Sequence, residues 1–246
     1  MSDSILTPIH VGRALAKKRL DPSGQTYEWM FKNLIGDDTG DNISVKNDSY
    51  NELTAIYWAW KNYEKLGNPD YIGVMHYRRH FVFKQLPISD VPISKMDVDY
   101  LSKINYSEKN LLKLLDNVDI VCHSGNVESI EKHYAENHKI QDLYTALNIL
   151  NTLYPEYKKI SKQYLNQSRG FFCNMFIFKK DIFFEYCEWI FKILNEFEKK
   201  VNLTDKRLFI SERLTGIFIQ KKINERIKYL TLPITFVEES SDIPIV

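Results

Sequence analysis

The feature that most constrains the fold is an apolar run joined directly to an amphipathic helix pattern. Residues 170–180, GFFCNMFIFKK, have the length and aromatic content of a buried strand. In residues 181–200, DIFFEYCEWIFKILNEFEKK, apolar side chains such as Tyr186, Trp189 and Ile193 recur at helical spacing. A buried strand followed at once by a helix with one apolar face predicts a layered α/β arrangement with the aromatic side chains in its core.

Other segments alternate between helix and strand in the same way. The patterns predict a helix over 49–65, which begins at a Ser49–Glu52 capping box, and a strand over 71–77. They also predict a capped helix that runs into a strand ending near Cys122, helices over 128–165 and 208–223, and a late strand over 227–237. We therefore predict one α/β domain over residues 1–246, with a mixed, mostly parallel sheet flanked by helices.

Composition limits the classes of partner and the location of the protein. Basic and acidic residues number 33 and 32, so no overall field attracts nucleic acid. The start of the chain, MSDSILTPIH, lacks a signal-peptide pattern, and the spread of three cysteines argues against a disulfide framework. These features predict a cytoplasmic protein. The basic residues at 17–19 and near 199–222 would allow peripheral binding to the inner face of the membrane, and scattered solvated lysines explain them equally.

The stretch HYRRH, from His76 to His80, is the strongest candidate binding motif. Two histidines four residues apart can bind a metal from a helix, but the segment before them is a predicted strand and the two arginines would repel a cation. Arginine binds phosphate through two parallel hydrogen bonds and keeps its charge. If the strand continues, Arg78 lies on one face and Tyr77 and Arg79 on the other. The motif therefore predicts an anion site without a metal; the alternative is a solvated end of the strand.

Two acidic segments are weaker metal candidates. The loop from Asp37 to Asn42, DDTGDN, has carboxylates that a hard cation prefers, but it lacks the closing glutamate of a calcium loop. A hydrogen-bonded loop that caps the next helix is the alternative. Asp97 and Asp99 form an Asp-x-Asp pair, but no apolar strand precedes them.

A glutamate within an apolar segment is the best candidate for a general base. Glu212 and Arg213 lie in SERL, inside the predicted helix over 208–223. A carboxylate there can have its pKa adjusted by its surroundings, whereas a surface position on an amphipathic helix would give it no special role. His123, His133 and His138 are scattered, and we expect structural roles for them.

Four segments together resemble a known family. They are DDTGDNISVKNDSYNELTAIYWAWKNY (37–63), DYIGVMHYRRHF (70–81), FFCNMFIFKKDIFFEYCEWIFKIL (171–194) and FISERLTGIF (209–218). Their order and spacing are similar to the domain of unknown function found in bacterial capsular-polysaccharide and O-antigen glycosyltransferases, and the resemblance covers about residues 8–225.

The resemblance implies a GT-A-like domain that transfers a sugar, galactofuranose or another hexose, from a nucleotide-diphosphate donor such as a UDP-sugar. The acceptor would be a saccharide or lipid-linked saccharide of a surface polysaccharide such as lipopolysaccharide. Other glycosyltransferases hold a metal ion with an Asp-x-Asp pair at this position. By analogy, fixed charges near His76 would take the place of that metal ion, and an inverting, metal-independent reaction is expected.

The resemblance also assigns roles to individual residues. The expected catalytic residues are Glu212 as base with His76 and Arg78, and the expected substrate-binding residues are Gly12, Asp38, Asp41, Asn42, Tyr77, Arg79, Asn174 and Arg213. Family members usually open with a short strand and a His-Lys pair before a Pro-Ile-x-x-Gly segment. Here residues 7–15, TPIHVGRAL, supply that segment, and the first strand is expected to be missing or shortened.

Two other functions are open from the sequence. One is a glycoside hydrolase that uses a carboxylate pair such as Asp41 and Glu212. The other is a non-catalytic sugar-binding or assembly subunit, which a missing first strand would favour.

Overall fold

The computed structural model describes residues 3–16, 24–93, 95–203 and 208–238, which divide into two compact units. Unit 1 contains the described residues up to Pro69, with Asn202, Leu203 and Leu208, and unit 2 contains those from Asp70 to Val201 and from Phe209 onward. The basic residues at 17–19 lie outside the described residues. Within the described ranges, no helix is long and apolar enough to cross a membrane.

Helices and strands alternate along both units. The described residues form the α-helices α1 (Arg13–Ala16), α2 (Gln25–Asn33), α3 (Asn47–Tyr50), α4 (Leu53–Lys61), α5 (Tyr100–Lys103), α6 (Glu108–Leu115), α7 (Ile130–Asn137), α8 (Ile140–Leu153), α9 (Lys158–Asn166), α10 (Lys180–Glu198) and α11 (Ile210–Asn224). The strands are β1 (Ile9–His10), β2 (Ile35–Gly36), β3 (Tyr71–Val74), β4 (Arg79–Phe81), β5 (Asp90–Val91), β6 (Ile120–Asn126), β7 (Arg169–Lys179), β8 (Tyr229–Thr231) and β9 (Ile234–Phe236).

Unit 1 is organised around one buried carboxylate. Strands β1 and β2 pair in parallel, and Asp37, directly after β2, is fully buried. Its carboxylate accepts hydrogen bonds from the backbone N–H groups of Gly12 (2.7 Å) and Arg13 (3.0 Å) and from the hydroxyls of Ser44 (2.5 Å) and Thr54 (2.6 Å). The first residue of the DDTGDN loop is therefore held by hydrogen bonds to other parts of unit 1, as a hydrogen-bonded loop requires, but among the described residues no side chain of the loop caps α3 or α4.

The helix predicted over 49–65 is interrupted. Helix α3 ends at Tyr50, Asn51 has a positive φ of 49°, and α4 begins at Leu53. The Ser49–Glu52 capping box is wrong, because Ser49 lies within α3 rather than before a helix, and its hydroxyl donates to the backbone oxygen of Leu203. The break places Thr54 in the first turn of α4, where its hydroxyl reaches the buried Asp37.

The main sheet of unit 2 has the strand order β3-β7-β6-β8. The α/β class with helices beside mixed sheets is confirmed. Strand β7 runs antiparallel to both β3 and β6, and only β6 and β8 pair in parallel, so the expectation of mostly parallel pairing does not hold for this sheet. The apolar pattern of a buried strand is the same whichever way the strand runs, so it could not reveal the direction of β7.

A large bulge interrupts β7. Cys122 of β6 pairs with Phe176 and Ser124 pairs with Phe171, so the single residue His123 faces the four residues 172–175 of β7. Cys173 and Asn174 adopt positive φ angles of 73° and 48°. Such conformations are costly for residues other than glycine, and they persist where the surrounding structure holds them.

Helices α10 and α11 cover this sheet through an aromatic core, as the 181–200 pattern predicted. Phe178 of β7 and Phe218 of α11 pack around the Tyr186 ring of α10, with ring centroids 5.5 and 5.3 Å from it. Helix α11 also approaches α9 closely at Gly216, where an added Cβ would lie 1.9 Å from the Tyr164 hydroxyl. The position of α11 is thus fixed by close contacts on two sides.

Two other predicted strands differ in extent. The strand expected to end near Cys122 continues to Asn126 beyond the bulge. The late strand is divided, because β8 joins the main sheet and β9 pairs with β4 and β5 in a second, three-stranded sheet. Pro233, which has no N–H for a ladder hydrogen bond, lies between them.

Asp37→Asn tests the role of the buried carboxylate. An amide presents a donor where the native oxygen accepts, so we expect a loss of at least about 2 kcal/mol in the free energy of unfolding, measured by chemical denaturation. Asp41→Asn is the matched control, since Asp41 lies in the same loop and is exposed; its effect should stay within about 0.5 kcal/mol. Equal effects of the two substitutions would contradict this organisation of unit 1.

Candidate active site

The HYRRH stretch forms a tight hairpin at the carboxyl end of β3. The backbones of His76 and Arg79 exchange two hydrogen bonds (3.2 and 3.1 Å), which leaves Tyr77 and Arg78 as a two-residue turn. The Arg78 N–H donates to His76 Nδ1 (3.2 Å), and its carbonyl accepts from the Val237 N–H (2.8 Å). The strand predicted over 71–77 therefore ends at Val74, and the condition that it continues through HYRRH is not met, because local and long-range hydrogen bonds turn the chain.

Both arginines of the hairpin lie against aromatic rings. The Arg78 guanidinium is 5.0 Å from the Tyr77 ring centroid and 5.5 Å from that of Phe236, and Arg79 is 5.7 Å from the Phe236 centroid. Tyr77 and Phe236 are 65% and 46% exposed, so this cluster is at the surface of unit 2. Stacking on rings orients a guanidinium while leaving its N–H groups available to an anion. The hairpin can hold a phosphate in this way.

The two histidines of the hairpin are neutral at physiological pH. Burial, with the nearby charges of Arg79 and Arg78, lowers the pKa of His76 to about 4. Burial likewise lowers the pKa of His80 to about 4, and its Nδ1 lies 2.5 Å from the Tyr100 hydroxyl. Because His76 Nδ1 accepts a hydrogen bond from the Arg78 N–H, the proton of the neutral ring is on Nε2. His76 is thus a hydrogen-bond donor and adds no positive charge to the hairpin.

A second polar cluster surrounds Arg213 on α11. This guanidinium is only 1% exposed, and it donates to Glu212 Oε2 (3.2 Å) and His133 Nδ1 (2.8 Å). The rings of Tyr134 and Phe172 lie 5.4 and 5.3 Å from it. Burial and the charge of Arg213 lower the pKa of His133, which keeps this ring neutral and able to accept. The Glu212 side chain is 28% exposed, so its carboxylate is held by Arg213 and still reaches solvent.

Asn174 connects the bulge of β7 to this cluster. Its side chain is buried; the amide nitrogen donates to the Ser211 hydroxyl (2.8 Å), and the amide oxygen accepts from the Thr215 hydroxyl (2.8 Å). Ser211 and Thr215 are one helical turn apart on α11, on either side of Glu212 and Arg213 in sequence. Asn174 therefore positions the helix that carries the candidate base. Its expected contact with a sugar remains a prediction.

An aromatic pair lies beside Glu212. Phe209, which precedes α11 with helical backbone angles, stacks on His138 at the end of α7, with centroids 4.6 Å apart and planes at 18°. Phe209 is 41% exposed. It is three residues before Glu212 and four before Arg213, a spacing that makes side chains neighbours on a helix.

The expected site residues of unit 1 bind groups within that unit. Gly12 has a φ of 66°, and an added Cβ would lie 2.3 Å from the Asn47 side chain, so the position needs glycine. Asp38 pairs with the buried Arg13 (2.5 Å), and Asp41 accepts from the Tyr57 hydroxyl (3.1 Å).

The last residue of this set, Asn42, also makes its contacts inside its own loop. Its side chain donates to the Gly40 carbonyl (2.9 Å) and accepts from the Ser44 N–H (3.2 Å). Donor binding by Gly12, Asp38, Asp41 and Asn42 therefore remains a prediction.

The Asp-x-Asp segment does not form a ligand set. Asp97 accepts from Lys103 and from the Asp99 N–H, just before α5. In the described ranges, no group of three or more histidine, cysteine, aspartate or glutamate side chains is arranged to hold a metal ion.

Several residues of these clusters were missed from the sequence. His133, His138 and Phe236 become neighbours of Arg213, Phe209 and the hairpin, respectively, only through packing of elements far apart in the chain. Phe209 lies only three residues before Glu212, but its stack on His138 likewise depends on that packing. Their local patterns contain no distinguishing feature. The sequence interpretation expected only structural roles for His133 and His138.

Fold and site together define an α/β protein with an arginine hairpin at a strand end and a Glu–Arg–His cluster on the helix that covers the same sheet. The chain belongs to the family described as Domain of unknown function (DUF4422), whose profile matches residues 1–224.

Its structure is similar to the apo structure of WbbM, a bifunctional glycosyltransferase, with a TM-score of 0.82 and 33% sequence identity. That match covers 100% of this chain and 45% of the WbbM chain, so this chain spans less than half of its length. No curated protein sequence matches the chain.

The lowered pKa of His80 can be measured by following its side-chain nitrogen shifts with pH in NMR. We expect the ring to stay neutral until the pH approaches 4. The unfolded chain takes up this proton near pH 6.5, so the stability of the fold should fall as the pH decreases from 6.5 to 4, by roughly 3 kcal/mol at most from this residue. His80→Gln should reduce the loss. Protonation of native His80 near pH 6.5 would contradict the burial argument.

Proposed function

We propose that the chain is a glycosyltransferase module that moves a sugar from a nucleotide-diphosphate donor to a saccharide acceptor. The supporting observation is the match of the whole chain, at 33% identity, to part of a bifunctional glycosyltransferase. The module would carry one of the activities of such a protein. We propose galactofuranose or another hexose as the transferred sugar, UDP as the nucleotide, and a growing capsular or O-antigen polysaccharide, free or lipid-linked at the inner membrane face, as acceptor.

The hairpin would bind the donor diphosphate. Arg78 and Arg79 carry permanent charges that their aromatic neighbours orient, and His76 offers an Nε2–H donor. The charge on the diphosphate oxygen increases as its bond to the sugar breaks, and fixed positive groups stabilise that change. This arrangement supports a reaction in which side chains, rather than a metal ion, neutralise the leaving group.

Glu212 would act as the base in an inverting displacement. The acceptor hydroxyl attacks the anomeric carbon and gives its proton to the Glu212 carboxylate. The bond from that carbon to the diphosphate oxygen breaks, and the nucleoside diphosphate leaves with the electron pair. Glu212 suits this role because its carboxylate is oriented by Arg213 and still reaches solvent. Asn174 would keep the α11 backbone in place during the step.

Incubation with UDP-sugars and simple glycosides, with and without EDTA, tests the proposal. We expect a glycoside product in both conditions and little product with Glu212→Gln. A metal requirement, shown by loss with EDTA and recovery with Mn²⁺, would contradict the fixed-charge mechanism. Release of sugar from glycosides without any nucleotide would indicate a hydrolase, and wild-type rates in Glu212→Gln would exclude this residue as base.

Arg78→Ala should weaken use of the donor in particular. Loss of a fixed charge at the leaving group should lower kcat/KM for the donor. The corresponding increase in activation free energy should be roughly 3–4 kcal/mol. The matched control is Arg226→Asn: Arg226 is exposed and has a positive φ of 66°, which asparagine tolerates. Its kinetics should equal those of the wild type. Equal losses in the two variants would mean that general charge, and not the hairpin, attracts the donor.

A further inference from the structure

Unit 2 contains a second surface suited to a sugar, formed by the stacked rings of His138 and Phe209. The rings are nearly parallel, and Phe209 is 41% exposed although it belongs to an ordered stack. Tyr134 packs against the His138 ring in turn, with ring centroids 4.9 Å apart. The exposed ring is therefore held in one orientation rather than free to rotate.

A polar group next to this ring can form hydrogen bonds with sugar hydroxyls. Glu212 offers a carboxylate that is partly exposed, one helical turn from Phe209. Arg213, whose guanidinium is 1% exposed, holds that carboxylate from inside the protein. The cluster thus combines an exposed aromatic face with an oriented hydrogen-bond acceptor.

This combination matches the chemistry of a neutral hexose better than that of other ligands. A sugar ring has one face of C–H groups that packs on an aromatic ring and a rim of hydroxyls that needs hydrogen bonds. A phosphate would be repelled by Glu212 at the same place. Burial and the charge of Arg213 lower the pKa of His138, so the stack carries no positive charge that would favour an anion.

We propose that the His138–Phe209 stack is the acceptor subsite, on which a neutral hexose of the acceptor saccharide packs with one hydroxyl directed to Glu212. This inference rests on the proposed function for the identity of the sugar as acceptor. It makes Phe209 a residue that determines acceptor affinity, separate from the hairpin that would bind the donor. Stacking orients the hexose so that a hydroxyl at its rim meets the base.

Binding and transfer by Phe209 variants test this subsite. The probes are methyl β-galactopyranoside, methyl β-glucopyranoside and methyl α-mannopyranoside, observed by saturation-transfer NMR, with UDP binding measured by calorimetry. Phe209→Ala should weaken binding of the glycosides roughly fivefold or more, as expected for loss of an aromatic contact, and leave UDP affinity unchanged. Phe209→Trp should retain binding. Tyr229→Ala, which removes an aromatic ring of similar exposure (43%), should have no effect.

The outcomes separate this inference from the proposed function. If transfer occurs and the acceptor KM is the same in wild type and Phe209→Ala, the subsite is wrong and the transferase proposal stands. If glycosides bind through Phe209 but no UDP-sugar supports transfer, the chain is a sugar-binding protein and the subsite stands as a saccharide site. Loss of UDP affinity in Phe209→Ala, or no binding of any glycoside to the wild type, would overturn the inference.

Discussion

The bulge of β7 is the constraint on which unit 2 depends. Residues 172–175 of β7 pair with neither β3 nor β6, and Asn174 within them is held instead by Ser211 and Thr215 of α11. The same hydrogen bonds fix the rotation of α11 and therefore the direction of Glu212 and Arg213. Two residues after Asn174, Phe176 pairs with Val74, the last residue of the strand that leads to the hairpin. Both polar clusters are thus positioned by one strand.

Charge is handled differently in the two clusters. In the hairpin, the guanidiniums lie against exposed rings, which supply attraction without neutralising them. Around Arg213 the cation is buried, and removal from water is costly unless partners compensate. A neutral histidine and a partly exposed carboxylate provide that compensation. The first arrangement suits a ligand that brings negative charge, and the second suits one that brings hydroxyl groups.

The sequence was most informative where structure is decided locally. The helix over 181–200 and the strand over 170–180 were predicted within one or two residues, because periodicity and an apolar run specify burial directly. Prediction from the sequence failed where groups far apart in the chain determine the local structure. Thr54 joins the helix start to Asp37, and the Val237 N–H binds the Arg78 carbonyl across the second sheet. No local pattern around 49–65 or 76–80 records those partners.

The candidate site shows the same division. Arg78, Arg79 and Glu212 could be selected because their residue types alone restrict the chemistry available to them. Phe209 and His138 could not, since an aromatic residue has no distinctive role until its neighbour is known. Their stack forms because α7 ends where α11 begins, and that meeting depends on the packing of both helices near β7. Residues that bind charge are therefore visible in such a sequence, whereas the apolar surfaces that would orient a sugar appear only with the fold.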